Sequence, residues 1–193
     1  AASGPEVGTA ANGAPVELAV SDSALPAAVI FKTVADPFVG KLSYFKVVTG
    51  KVTPDSMLLN MRTGSTDKIG KLFTVCGKKQ SDTPYVGAGD IGAVAKLTGA
   101  VTGDTLCAPA RPVTLAGVDY PAPSLSMAVI PVNKGDEEKI AQGMSRLTEE
   151  DPSMHFGTNT ETNQMIVSGQ GEQHIDVIIS KLKNKFGTDA KTE

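Results

Sequence analysis

With 193 residues, a net charge of −3 and few aromatic residues, the chain is long enough for one large or two small domains, each able to bury a core. It contains no apolar run near the ~20 residues that a membrane span needs, no signal-peptide pattern at its start and only two Cys, which excludes a disulfide framework. We therefore expect a cytoplasmic protein without a membrane partner, in which Cys76 and Cys107 are reduced, packed thiols.

The first segment, residues 1–26, is rich in Ala, Gly, Ser and Pro and shows neither helical nor strand periodicity. Such a composition buries too little apolar surface to offset the entropy that is lost on ordering. We predict a flexible linker or tail there, with the folded part of the chain beginning at residue 27.

Residues 27–120 have a strand pattern throughout. Short runs of β-branched and aromatic residues alternate with turn sequences, and no helical window separates them. The predicted strands are 28–34, 41–48, 56–61, 69–76, 90–97 and 112–116. Many short strands at this spacing predict an all-β domain in the form of a small closed barrel, which leaves no exposed sheet edge.

Residues 121–193 alternate strands and helices. The predicted strands are 124–132, 154–158, 164–168 and a last one within 188–193. Ile140, Met144 and Leu147 fall on one face of a helix that follows the first strand, and a second helix follows the turn at Gly171. The order is βαββαβ, so we predict an α+β domain of the ferredoxin-like class.

Charge is distributed unevenly along the chain. Residues 1–25 carry three acidic and no basic residues, residues 26–120 carry eleven Lys/Arg against seven Asp, and residues 121–193 carry seven Lys/Arg against eleven acids. A slightly basic middle is compatible with contact to a nucleic-acid backbone. It is far from the strongly basic signature of an independent nucleic-acid binder, and an ordinary solvated surface explains it equally well.

Two motifs resemble nucleotide-binding signatures by spacing alone. Gly87, Gly89 and Gly92 fit G-x-G-x-x-G, but the residues that follow have a strand pattern, whereas that loop works only at the start of a helix. Residues 133–136 match N-K-x-D, yet the chain has no G-x-x-x-x-G-K-[ST] loop to hold phosphates. A helix cap accounts for Asn133 more simply.

The sequence shows no catalytic arrangement. Neither His155 nor His174 lies within a recognisable Ser/Asp or Cys pattern. The acidic run at 149–151 could supply paired acid–base groups, although such a run at the end of a helix is more often solvated surface. Taken alone, the residues predict a barrel followed by a ferredoxin-like domain, with no catalytic residue, cofactor site or metal site.

Several stretches resemble bacterial elongation factor G. Residues 31–52 (FKTVADPFVGKLSYFKVVTGKV), 88–97 (AGDIGAVAKL) and 102–107 (TGDTLC) are similar to its second domain, and residues 147–178 to its third. The resemblance covers about residues 27–193 in the family's order. It implies a middle segment of a translational GTPase, in which GTP and Mg²⁺ are bound by a separate GTPase domain and this chain is not itself an enzyme.

The resemblance also implies partners and contact residues. The family's barrel packs on the GTPase domain and touches small-subunit ribosomal RNA, while the third domain relays the GTP state to the movement of tRNA and mRNA. We therefore expect the ribosome and the parent's own GTPase and distal domains as partners of a monomer. The candidate RNA or GTPase-domain contacts are Asp36, Phe38, Gly40, Lys41, Lys68 and Lys71. The third-domain wall of the family's fusidic acid pocket corresponds by motif to Asp151, Ser153 and His174.

Some positions depart from the family pattern. Where the family has G-M-G-E-L-H-L, this chain has Gln170 and Gln173 in place of two apolar residues, and Pro54 precedes Asp55 where Gly is usual. We interpret these as marks of a divergent paralogue. The alternatives to a role in translocation are a segment of a ribosome-recycling factor, a segment of a ribosomal protection factor of the tetracycline-resistance type, and a free-standing interaction module.

Overall fold

A computed structural model of the chain describes residues 4–36, 40–77, 79–97 and 99–193. The chain divides into two compact units between Val118 and Asp119, and each is described by itself. Within those described ranges, no helix is both long and apolar enough to cross a membrane.

The described part of the first unit contains eleven strands and no α-helix. They are β1 (Glu6–Ala10), β2 (Pro15–Leu18), β3 (Ala27–Asp36), β4 (Gly40–Thr49), β5 (Met57–Asn60), β6 (Thr66–Lys68), β7 (Leu72–Cys76), β8 (Lys79–Asp82), β9 (Ile91–Ala95), β10 (Thr105–Cys107) and β11 (Val113–Leu115). Each of the six strands predicted in this unit corresponds to one of them. β6, β8 and β10 were not predicted as separate strands, since all three are only three or four residues long and β6 and β8 are also polar.

Eight of these strands form one antiparallel sheet in the order β6-β5-β10-β3-β4-β9-β7-β8. Alternate residues of the two longest strands, including Ile30, Phe45 and Val47, face a single buried core. Leu58 on β5 and Leu72 on β7 belong to the same core although their strands lie near opposite ends of the sheet. The sheet is therefore strongly curved around its own interior, which gives the unit a barrel-like form.

Residues 6–18 form a β-hairpin rather than the flexible tail predicted for residues 1–26. β1 pairs with β11 on one side and with β2 on the other. Leu18 is fully buried in a second apolar cluster, and Glu6 forms an ion pair with Lys46 of β4. The prediction of a tail is wrong for these residues because the hairpin takes its partners from β11, about a hundred residues away, which local composition cannot reveal.

The segment after the hairpin is also held against the barrel. The carboxylate of Asp22 accepts a hydrogen bond of 2.9 Å from the backbone N–H of Ala88 and forms an ion pair of 3.1 Å with Lys51. The Ala88 hydrogen bond, followed by the contact with Lys51, lowers the pKa of Asp22.

The two Cys residues differ in exposure. Cys107 is buried, as expected. Cys76 is exposed at the end of β7, so its prediction as a packed thiol is wrong.

The second unit has the predicted βαββαβ order. Its elements are β12 (Leu125–Pro131), α1 (Glu137–Glu150), β13 (His155–Thr158), β14 (Met165–Gly169), α2 (Glu172–Phe186) and β15 (Ala190–Thr192). The antiparallel sheet has the order β13-β14-β12-β15, which places the first and third strands of the unit at its centre. Asp136, rather than the expected Asn133, occupies the N-cap of α1, and the Asn133 amide donates to its carboxylate.

The helices pack their apolar faces on the sheet. Ile140, Met144 and Leu147 of α1 lie at helical spacing and are fully buried. They share one core with Ile175, Ile178 and Leu182 of α2 and with Val129 and Val167 of the two central strands. This core fixes the end of α1 and the start of α2 on the same sheet, which matters for the site described below.

Truncation of the hairpin's buried side chain tests whether residues 6–18 belong to the fold. Leu18→Ala is expected to lower the free energy of unfolding by about 2–5 kcal/mol, because it leaves a cavity in a packed cluster. Val7→Ala in the same hairpin, at a side chain that is 64% exposed, is the matched control and should change it by less than about 0.5 kcal/mol. Urea unfolding measures both. Equal effects of the two substitutions would show that the hairpin is not part of the folded unit.

Candidate functional site

The loop that joins α1 to β13 is organised by Asp151. Helix α1 ends at Glu150, since Pro152 disfavours helical geometry at the preceding residue, and Asp151 is extended (φ −129°, ψ 95°). Its N–H still donates to the carbonyl of Leu147 at 3.0 Å. Its carboxylate Oδ1 accepts two hydrogen bonds from Ser153, from the backbone N–H at 3.0 Å and from the hydroxyl at 2.6 Å. The local turn therefore sets the direction of this carboxylate.

His174 brings the start of α2 to the same carboxylate. Its Nε2 lies 3.0 Å from Oδ2 of Asp151, and its Nδ1 accepts a hydrogen bond of 3.1 Å from the backbone N–H of Gln170. Because Nδ1 is an acceptor, the neutral imidazole carries its proton on Nε2 and donates it to Asp151. The ring also needs the glycine at position 169, since a Cβ there would lie 3.0 Å from Nδ1.

The electrostatics of the cluster favour an ionised Asp151. Partial burial acts to raise the pKa of this carboxyl, but the hydrogen bonds from the Ser153 hydroxyl and N–H, together with His174, outweigh burial and lower the pKa. The side chains of His174 and Asp151 remain 19% and 29% exposed. The structure thus brings together all three residues that the sequence placed at this site, in a cluster that an approaching surface can reach.

Gln170 ties further segments to the cluster. Its side-chain amide donates to the carbonyl of Pro121 at 2.9 Å and to that of Ser153 at 3.4 Å, and its own carbonyl accepts from the Ser124 hydroxyl at 2.9 Å. Together with its N–H to His174, this residue joins the start of the unit, the Asp151 loop and α2. In the sequence, Gln170 stands out only as a departure from a family pattern, because the partners of its amide lie 17 and 49 residues away.

The remaining candidate residues belong to the first unit. Asp36 and Gly40 face each other across the ends of β3 and β4, and Lys41 is the next residue along β4. The carbonyl of Lys41 accepts from the N–H of Lys96. Phe38 lies outside the described residues.

Lys68 and Lys71 lie at the end of β6 and just before β7. Each is an exposed cation with an acidic neighbour, Asp55 at 2.8 Å for Lys68 and Asp82 at 2.6 Å for Lys71. The contact with Asp55 raises the pKa of Lys68. The turn at Gly70 lies close to Ala95, since a Cβ on Gly70 would be 3.6 Å from the carbonyl oxygen of Ala95. Ala95 precedes Lys96, whose N–H is hydrogen-bonded to Lys41 at the start of β4. This turn and the start of β4 therefore lie at the same end of the barrel-like sheet.

The two motifs that resemble nucleotide-binding signatures, at residues 87–92 and 133–136, have structural roles. Gly87–Gly92 leads into strand β9 rather than a helix, which rules out the pyrophosphate-binding turn at that position. Residues 133–136 precede α1 and supply its cap. Across the described residues, no group of three or more His, Cys, Asp or Glu side chains is placed to hold a metal ion.

The two units match known sequence families. "Elongation factor G domain 2" matches residues 26–109, and "Elongation Factor G, domain III" matches residues 120–193. A crystal structure of a protein from Thermus thermophilus superposes with a TM-score of 0.78 at 26% sequence identity, covering 88% of this chain and 26% of that one. The chain therefore spans about a quarter of the length of this structural relative.

These matches show the fold class of the chain and the family to which it belongs. A translation-factor barrel followed by a ferredoxin-like α+β domain is the arrangement predicted from the sequence, and that fold class is confirmed. The chain belongs to the elongation factor G family and carries domains II and III of that type. It is a segment related to translational GTPases.

The two glutamines that replace apolar residues provide a matched pair of substitutions. Gln170→Leu removes the side-chain amide and both of its hydrogen bonds. Each hydrogen bond contributes about 0.5–1.5 kcal/mol net, and the low end applies because this side chain is exposed. The free energy of unfolding is therefore expected to fall by about 1 kcal/mol. Gln173→Leu, at an exposed position on α2, should stay within about 0.5 kcal/mol of the parent.

Urea unfolding gives both values, and amide hydrogen exchange gives the location. Faster exchange confined to residues around Ser153 and Ser124 in Gln170→Leu alone is the expected pattern. An equal response of the two variants would remove Gln170 from the network.

Proposed function

We propose that this chain is a non-catalytic, ribosome-binding segment of a translational GTPase and that it relays the nucleotide state of a GTPase domain during elongation. The observation that supports this proposal best is the cluster of Asp151, Ser153 and His174. It lies where one helix of the domain III-type unit ends and the other begins. GTP and Mg²⁺ are then bound by the GTPase domain of the parent and not by this chain, which acts as a monomer.

The geometry of the cluster suits a relay. The carboxylate of Asp151 is bonded to its own loop through Ser153 and to the other helix through His174. A neighbouring domain could compete for either bond in one nucleotide state and not in the other. Such competition changes the free energy of both helix ends, and a difference of this kind between two states shifts the conformational equilibrium. The exposed fractions of the two side chains leave room for such a contact.

The barrel end around Lys41, Lys68 and Lys71 suits contact with a phosphate backbone. The ion pairs of Lys68 and Lys71 are solvent-exposed on both sides, and exposed pairs of this kind contribute little free energy. Exchanging Asp55 or Asp82 for an RNA phosphate therefore costs little. This supports small-subunit ribosomal RNA as the partner of that surface, and Asp36, Phe38 and Gly40 are further contact candidates.

Substitution of His174 in the longer protein tests the relay. His174→Ala removes the bond between α2 and Asp151 and is expected to lower ribosome-stimulated GTP hydrolysis by about tenfold, which corresponds to about 1.4 kcal/mol of lost coupling. Nucleotide affinity in the absence of ribosomes should stay unchanged, since this chain does not bind the nucleotide in the proposed arrangement.

Asp176→Asn is the matched control. It removes a charge from an exposed position two residues further along α2 and should leave both quantities at the parent values. Ribosome-stimulated hydrolysis that is unaffected by His174→Ala would remove the cluster from the relay. Micromolar binding of labelled GTP to the isolated 193-residue chain would contradict the proposal that this segment is non-catalytic.

A further inference from the structure

Strand β13 is an edge of the sheet in the second unit. It pairs with β14 on one side, and within the described parts of the chain no strand pairs with its other side. The four residues of β13 include no Lys, Pro or acidic residue, the types with which natural proteins commonly protect an edge. Three of the four, His155, Gly157 and Thr158, are exposed.

The register shows which backbone groups face outward. The N–H of Asn159 donates to the carbonyl of Gln164, and hydrogen-bonded pairs then alternate along an antiparallel ladder. Gly157 and His155 consequently form the hydrogen-bonded pairs with Ile166 and Ser168 of β14. Phe156 and Thr158 lie in the intervening pairs, so their N–H and carbonyl groups point away from the sheet and are available to a further strand.

A notch beside this edge can receive a side chain. Gly157 has no heavy atom within 4 Å of where a Cβ would stand, so the missing side chain leaves the flank of Ile166 open. A depression of about 340 Å³ forms there, lined by His155, Phe156, Gly157, Thr158, Asn159, Ile166 and Ser168. An added strand places every second side chain on this face, so one apolar side chain of that strand would lie in the notch.

The charge of the unit selects the kind of partner. Residues 121–193 carry eleven acidic and seven basic residues, and Glu161, in the turn that follows β13, is exposed. A second copy of this unit would bring the same net negative charge against itself. A segment rich in Lys or Arg complements that charge, and such complementarity favours encounter with one partner over another.

We propose that the outer edge of β13 binds an extended, basic peptide segment of a partner protein as a fifth strand of the sheet. Phe156 and Thr158 supply the main-chain hydrogen bonds, the notch at Gly157 takes an apolar side chain, and the net negative charge of the unit favours Lys or Arg at the positions between. The inference concerns a different face from the Asp151 cluster and does not depend on the relay.

Titration of the 193-residue chain with a short peptide of alternating Lys and Val tests this proposal, with a Glu–Val peptide of the same length as the charge-reversed probe. At low salt, the Lys–Val peptide is expected to bind and to shift the amide proton and nitrogen resonances of Phe156 and Thr158 most strongly. Thr158→Pro removes one outward N–H but none of the bonds to β14, and it should weaken binding by about fivefold.

Thr192→Pro is the matched control on the opposite edge. Ala128 and Glu193 exchange both backbone bonds, so the N–H of Thr192 also points outward, and its loss should leave binding unchanged. Gly157→Val places a side chain in the notch, at a position where a Cβ meets no heavy atom within 4 Å. It provides a second variant in case Thr158→Pro does not fold, and it too should weaken binding by several-fold.

Every other outcome overturns the proposal. Absence of binding, or equal binding of the Glu–Val peptide, would exclude a basic strand as the occupant. Resonance shifts that spare β13 and the residues lining the notch, and occur elsewhere in the chain, would exclude this edge as the site. Shifts of Phe156 and Thr158 that depend on protein concentration without added peptide would show that a second copy of the chain occupies the edge instead.

Discussion

The carboxylate of Asp151 is the group on which the candidate site depends. One oxygen is held by Ser153 of its own loop and the other faces His174 at the start of α2. Because burial disfavours the ionised carboxyl and these bonds favour it, the lowered pKa shows that the bonds prevail. The same carboxylate therefore holds the loop that follows α1, joins this loop to the first turn of α2 and remains partly exposed at the surface.

The fold explains why such a small cluster can act as a unit. The core of the domain III-type unit fixes both helices on the two central strands, and Gln170 links the cluster to the first strand through Ser124 and to the segment before it through Pro121. His174 is thus connected to these segments through a chain of hydrogen-bonded groups. In the domain II-type unit, by contrast, the ion pairs of Lys68 and Lys71 are solvent-exposed on both sides, as suits a surface that exchanges partners.

Local periodicity was sufficient to predict much of the fold. The βαββαβ order followed from strand runs and from helical faces such as Ile140, Met144 and Leu147, whose burial depends on spacing along the chain. The hairpin at residues 6–18 could not be predicted in this way, since β1 pairs with the distant strand β11 and Leu18 is buried in a cluster that includes Val113 and Leu115 of that strand. The residues of the candidate site were predicted from a family resemblance. The role of Gln170 could not be predicted from the sequence, because it depends on hydrogen bonds to residues that are distant along the chain.

The tautomer of His174 is the most direct test of this account, and long-range proton–nitrogen correlation spectra of the imidazole can determine it. The network requires a neutral ring with its proton on Nε2, donated to Asp151, and an unprotonated Nδ1 that accepts from the N–H of Gln170. Resonances of an Nε2–H tautomer are therefore expected. An Nδ1–H tautomer, or rapid averaging of both nitrogens as in a solvated histidine, would contradict the central role given to this cluster.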